Sequence, residues 1–145
     1  MTSVSEKASL ARPFAPALEK LRGAGLRPTR QRLALAKLLF DGPDRHVTAE
    51  MLHGEALRAR VQVSLATVYN TLHQFTDVGL LREIVVDAER SYFDTNVGTH
   101  HHLFDENSRA LHDIPECDVR LDTMPGLPAG MEVSRVDVIV RMRKA

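Results

Sequence analysis

The chain has 145 residues, seven histidines, one cysteine and no net charge, with 43% apolar and 26% charged side chains. These values suit one or two small globular domains that bury a core. They exclude an intrachain disulfide and a cysteine-rich zinc knuckle, and no apolar run approaches the ~18 residues of a membrane-spanning helix. An N-terminus without an apolar signal core makes the cytoplasm the expected location.

Charge is spread unevenly. Residues 1–95 hold 13 Lys/Arg against 11 Asp/Glu, and residues 96–145 hold 6 against 8. From Lys20 to Lys37 there are six basic residues and no acid. Such a stripe reads as a solvated helix face or as a phosphate-facing surface.

Residues 1–12 are polar and weakly patterned, as expected of a mobile arm. Pro13–Arg22 is a short helix candidate that stops at Gly23-Ala24-Gly25. Thr29 is the predicted N-cap of a second helix, whose apolar side is Leu33, Leu35, Leu38, Leu39 and Phe40. Asp41-Gly42-Pro43-Asp44 ends it. Thr48 caps a third helix, with Glu50 favourable to its dipole and Leu52, Ala56 and Leu57 on its apolar face. After the link Val61-Gln62-Val63, Ser64 caps a fourth helix reaching roughly Asp77. There Leu65, Val68, Leu72 and Phe75 recur at three- and four-residue intervals and mark a core face.

Thr67, Asn70 and Gln74 occupy the opposite face of that helix, with Tyr69 and His73 at its margin. Gly79 closes the helix, Leu80–Val86 reads as a strand, and Ser91–Asp94 is its return partner across a turn at 87–90. Helices followed by a two-stranded hairpin form the pattern of a winged helix, whose last helix lies in the DNA major groove. Asn can pair adenine in a bidentate manner, Thr can meet a base edge or a thymine methyl, and Ser and Tyr hydroxyls suit phosphates. A helical domain that packs a partner protein is the competing reading.

Asn96-Val97-Gly98 reads as a hinge. Beyond it, Leu103–Asp105, a turn at 106–109 and Ala110–Ile114 predict a second hairpin. Pro115–Gly130 is expected to be loop or a brief helix containing Cys117. Met131–Arg143 reads as a strand with Val136, Val138, Val140 and Met142 on one face. So few strands make a meagre core, and this half is expected to need a twin copy.

Four of the seven histidines lie between residues 100 and 112, and three of these are consecutive. Adjacent imidazoles of this kind point to a metal or haem site. Strand alternation sends His100 and His102 to one side and His101 to the other, so one ion can take the first two but hardly all three. Asp113 in the partner strand, Asp94 before the hinge and His46 in the first half can each add a ligand. Such a nitrogen/oxygen set without thiolate suits ferrous iron or manganese, and also accepts zinc in vitro. A small non-haem iron enzyme is the alternative from another class, although the short chain leaves little room for a substrate cavity.

These landmarks resemble the ferric uptake regulator family. The resemblance covers roughly Gly25 to Ile114 and rests on Gly25-Leu26-Arg27-Pro28-Thr29-Arg30-Gln31-Arg32, His46-Val47-Thr48-Ala49-Glu50, Leu65-Ala66-Thr67-Val68-Tyr69-Asn70-Thr71-Leu72, Phe75, Gly79-Leu80 and His100–Leu103. It implies an α+β protein: a winged-helix DNA-binding domain (1–95), a hinge (96–98) and a small α/β dimerisation and sensing domain (99–145). The implied activity is that of a homodimeric transcriptional regulator, not an enzyme, which binds double-stranded DNA at palindromic operators and senses metal.

By the same resemblance the regulatory metal falls on His46, Asp94, His100, His102 and Asp113. The family's tyrosine contact to DNA falls on Tyr69, and its usual following arginine is Asn70 here. Together with the polar face of the fourth helix and its approaches, the expected DNA-binding residues are Arg27, Ser64, Thr67, Tyr69, Asn70 and Gln74. Aspartate at 94 and 113 is similar to the peroxide-sensing branch. Positions 105 and 108 are Asp and Ser rather than cysteines, so no Cys-based structural zinc is expected. Asn70, the absent cysteines and the triple histidine are similar to the haem-responsive iron response regulator branch, which implies haem binding at His100, His101 and His102.

Overall fold

A computed structural model describes residues 12–145; residues 1–11 of the expected arm lie outside the described part. The chain divides into two compact units, one ending at Val97 and the other running from Gly98 to Ala145.

Four helices open the first unit: α1 (Ala15–Gly23, after a 3-10 turn at Arg12–Phe14), α2 (Arg30–Phe40), α3 (Ala49–Arg58) and α4 (Leu65–Asp77). Local chemistry sets where they start. Thr29, Thr48 and Ser64 sit in extended conformation and accept the backbone N–H of Arg32, Met51 and Thr67 respectively. Each such cap is worth about 1 kcal/mol.

The helix ends are equally legible. Gly79, at φ +81°, follows α4, and the Leu80 N–H returns to the Phe75 carbonyl at 2.9 Å. This closing turn consumes Leu80, so the strand expected from that residue begins two residues later. At the end of α3 the Arg60 N–H donates to Leu57 O at 3.1 Å and the Val61 N–H to Ala56 O at 2.8 Å. This double bond pattern normally places glycine at the left-handed position. Here that position is Arg60, with φ +59°, at a cost of about 1 kcal/mol or more.

A sheet of strand order β1-β3-β2 completes the unit, from β1 (His46–Val47), β2 (Arg82–Asp87) and β3 (Arg90–Asp94). The expected two-stranded hairpin is therefore a three-stranded wing. His46 and Val47 pair with Asp94 and Phe93, a long-range contact that a two-residue strand cannot announce locally. Leu21, Leu35, Leu39, Leu52, Val68, Leu72, Phe75 and Phe93 form the core under this sheet. The α4 residues Val68, Thr71, Leu72 and Phe75 are buried, which turns Asn70 and Gln74 outward.

The second unit holds β4 (His101–Asp105), β5 (Leu111–Ile114) and β6 (Ile139–Met142), in the order β5-β4-β6. Its expected hairpin is antiparallel, with His102 opposite Asp113. The long strand expected over Met131–Arg143 contracts to four residues that run parallel to β4. Only the part that reaches β4 satisfies its backbone groups in a ladder, so periodicity in Val136 and Val138 did not extend the strand. Between a 3-10 turn at Glu116–Asp118 and β6 no regular element occurs among the described residues.

Candidate metal centre and nucleic-acid interface

Among the described residues, imidazole and carboxylate come together in each unit. In the first, pairing of β1 with β3 sets His46 beside Asp94, and His46 Nε2 lies 3.0 Å from Asp94 Oδ2. Asp94 is fully buried. Its other oxygen, Oδ1, accepts the Asn96 N–H at 2.8 Å, which fixes the carboxylate plane.

Arg45 pins this corner to the helices. Its N–H donates to Thr95 Oγ1 at 2.8 Å, while the Thr95 N–H returns to the Arg45 carbonyl at 3.0 Å. Its guanidinium grips Glu55 of α3 through two bonds of 2.8 and 2.6 Å and also reaches the Leu38 carbonyl. The hydrogen bonds that Arg45 donates to Glu55 raise the Arg45 pKa; burial opposes that shift and the Glu55 charge adds to it.

In the second unit, His100, His102 and Asp113 converge. Their Nε2 atoms lie 3.1 and 3.3 Å from the same Asp113 oxygen, and the two rings stand 4.6 Å apart. His100 Nδ1 lies 2.7 Å from the Gly98 carbonyl. A carbonyl only accepts, so Nδ1 carries the proton and Nε2 of a neutral ring keeps its lone pair. A lone pair facing a carboxylate oxygen needs positive charge between them, either a second ring proton or a cation. The donor set therefore fits a divalent ion, since a backbone acceptor behind a ligating imidazole is the usual way to orient it.

His101 stands on the other face of β4. It points away from that pair, as alternation requires, yet it is buried and its Nδ1 accepts the Val138 N–H at 3.2 Å. Neutral His101 then carries its proton on Nε2, so that nitrogen offers no lone pair to a haem iron until the Val138 bond is broken. The other two members of the expected haem trio, His100 and His102, share Asp113 instead.

The expected DNA-facing residues lie in the first unit, and most are exposed: Arg27, Ser64, Tyr69, Asn70 and Gln74, with Thr67 half-buried. Ser64 is engaged as the α4 cap and donates its hydroxyl proton to Thr67 Oγ1 at 2.9 Å. Tyr69 donates to Glu50 Oε1 at 2.6 Å, and this bond holds its phenol pKa above the ordinary value. Gln74 Oε1 accepts from Arg32 Nε and Nη2 at 3.3 and 3.0 Å, while Arg32 Nη1 donates to the Arg27 carbonyl at 2.9 Å. In the sequence Arg32 stands out only as one residue of the Lys20–Lys37 basic stripe and Glu50 only as an acid favourable to a helix dipole, and neither is placed beside Gln74 or Tyr69. Their roles depend on side chains from separate helices meeting, which no spacing reveals.

Residues 23–138 match the ferric uptake regulator family. Over 116 residues the chain is 30% identical to the peroxide-responsive repressor PerR of Staphylococcus epidermidis, spanning 79% of this chain and 77% of that protein. It is 31% identical over 101 residues to the ferric uptake regulation protein of Bordetella parapertussis, spanning 69% and 73%. A structure of the ferric uptake regulator from Pseudomonas aeruginosa with manganese superposes with a TM-score of 0.68 at 26% identity, covering 88% of this chain and 97% of that one. The Vibrio cholerae regulator shares the fold, with a TM-score of 0.67 at 21% identity over 87% and 98% of the chains. Family description, relatives and architecture agree, and the α+β chain belongs to the ferric uptake regulator family.

Proposed function

We propose that this protein is a dimeric, metal-responsive transcriptional regulator that binds double-stranded DNA at a palindromic operator. In this reading residues 1–95 read DNA, 96–98 form the hinge, and 99–145 dimerise and sense. The carrying observation is the His100 ring, whose proton is committed to Gly98 while its lone pair faces Asp113 beside His102. Each unit holds a partial ligand set, and one ion joining His46 and Asp94 to His100, His102 and Asp113 completes a five-ligand nitrogen/oxygen site. Ferrous iron or manganese suits that set, with zinc accepted in vitro.

When bound, the ion supplies the positive charge that these carboxylates and imidazole lone pairs share. The chain's own residues convert that demand into a conformational bias. His46 is rigidly tied through Arg45 to Glu55 of α3, so a pull on His46 reaches the helix preceding the recognition helix. A ligand set drawn from both units favours one of their mutual orientations and so shifts the population competent for operator binding. Exposed apolar side chains of the second unit, among them Leu121, Met124, Leu127, Met131, Val133 and Val140, supply a face for a second copy.

Two finer readings belong to the signal. Similarity to PerR of S. epidermidis and the aspartates at 94 and 113 favour peroxide sensing through the bound iron. Asn70 and the His100–His102 run favour the haem-responsive branch, with iron or haem homeostasis as the regulated process. The geometry favours metal over haem, because His101 must first give up Val138.

One preparation tested for duplex binding as apo, manganese-loaded and haem-loaded protein separates metal control from haem control. Manganese-dependent binding that His102→Ala abolishes supports the metal reading. Equal binding in all three states removes ligand control altogether. A Soret shift lost in His101→Ala transfers the signal to haem.

A further inference from the structure

Arg30, Gln31 and Ala34 of α2 and Arg60, Val61 and Gln62 after α3 line a cleft of about 410 Å³ in the first unit. No acidic residue lines it, and neither guanidinium has a hydrogen-bond or ion-pair partner among the described residues. Gln31 Nε2 donates to the Gln62 carbonyl at 3.3 Å, which braces one wall against the other. Two arginines facing one cleft without a carboxylate form an anion receptor, since the guanidinium fork matches phosphate oxygens.

Arg60 adds a second observation. It occupies the left-handed position that closes α3, where φ is +59°. Glycine fills such a position without strain, so the arginine there sits against local backbone preference. The cleft wall continues through Gln62 to Ser64, the cap of α4. A phosphate held here therefore lies at the entrance to the recognition helix, beside the start of α2, where Arg30 and Arg32 follow Arg27.

We propose that the Arg30–Arg60 cleft seats a backbone phosphate of the bound duplex, fixing the depth and register of α4 without reading sequence. The inference rests on the reading of the chain as a DNA-binding regulator and adds an anchoring site to it. Its occupant is a phosphodiester, and a free phosphate is the competing source of the same chemistry.

The test measures binding of the manganese-loaded 145-residue chain to a random-sequence duplex across a salt series, because the phosphate term is independent of sequence. Loss of one phosphate contact per protomer lowers the log–log salt slope by about 0.9, and by about 1.8 for a dimer, with affinity falling roughly tenfold per contact near 0.1 M salt. Arg30→Ala/Arg60→Gly is expected to show that loss. Arg60→Gly alone is expected to weaken binding while leaving the melting temperature unchanged or higher, since glycine relieves the left-handed strain. A merely structural arginine would not separate the two readouts.

An unchanged slope and affinity in the double variant, with the wild-type chain still binding, overturns the cleft and leaves DNA recognition standing. No duplex binding by the wild-type chain overturns both. If inorganic phosphate at constant ionic strength raises the wild-type melting temperature but not the variant's, and the slopes agree, the site serves a free anion and the duplex proposal fails.

Discussion

Replacing Arg45 tests whether the metal-ligand corner and the DNA-reading helices are mechanically one piece. Arg45 holds Glu55 through two bonds of 2.8 and 2.6 Å, and the side chains are 30% and 22% exposed. In partly screened surroundings the net worth of such charged hydrogen bonds is about 1.5–3 kcal/mol. Arg45→Met also strips a donor from the Leu38 carbonyl and leaves the Glu55 carboxylate partly buried without its cation. A loss of about 2 kcal/mol is expected, or roughly 10 °C in melting temperature for a unit of this size.

The double variant Arg45→Met/Glu55→Leu removes both charges and is expected to be less destabilised than Arg45→Met alone, giving a coupling energy of about 1.5 kcal/mol. Because the Arg45 pKa is raised, the stabilisation linked to its protonated form is fully present below the ordinary arginine pKa and is lost as pH rises through the raised value, far into alkali. The same single variant keeps the backbone clasp between Arg45 and Thr95 but frees the segment before His46 from Glu55 of α3, so manganese affinity is expected to fall about tenfold, the scale on which supports behind metal ligands act. Urea melts of the four proteins of the cycle, with equilibrium dialysis against manganese, measure both effects. A coupling energy below about 0.5 kcal/mol would refute the stability argument. Unchanged manganese affinity in a destabilised Arg45→Met would refute the mechanical link.

Other side-chain contacts carry three further expected outcomes. Gln74→Glu keeps the acceptor for Arg32 but removes the amide donors that face outward; its melting temperature should hold while duplex affinity drops about tenfold or more by mobility shift. Glu50→Gln should lower the ionisation pKa of Tyr69, whose elevation comes first from its bond to Glu50, and an alkaline absorbance titration that shows no change would discard that contact. Asp105 accepts from the Asn107 and Ser108 N–H groups, and bonds to Ser108 first and Asn107 next hold its pKa below the ordinary value. Its folded form is thus favoured when ionised, so its stabilising contribution is present above the ordinary carboxylate pKa and lost as pH falls through the lowered one; Asp105→Asn should flatten that acid limb in pH-dependent melts.

Local chemistry alone determined the helices of the first unit. Thr29, Thr48 and Ser64 cap where a side-chain oxygen precedes an amphipathic run, and the Val68–Leu72–Phe75 spacing turned Asn70 and Gln74 to solvent without any tertiary input. Strand alternation likewise separated His101 from His100 and His102, because a period of two is a property of the backbone. Family landmarks named the five metal-ligand candidates; their spacing alone left alternatives open.

Tertiary structure decided what depends on partners distant in sequence. His46–Val47 became a strand only because β3 offers it hydrogen bonds. Residues 131–138 stayed outside the strand because the ladder with β4 takes in only Ile139–Met142. His101 lost its apparent freedom to the Val138 N–H, thirty-seven residues away, and Arg32 found Gln74 across forty-two. Even Arg60, adjacent to a well-predicted helix, took a left-handed turn that its residue type argues against. Caps and periodicity are settled within a few residues, where local energies act. Ladders, buried imidazole tautomers and paired arginines are settled only once the chain has folded back on itself.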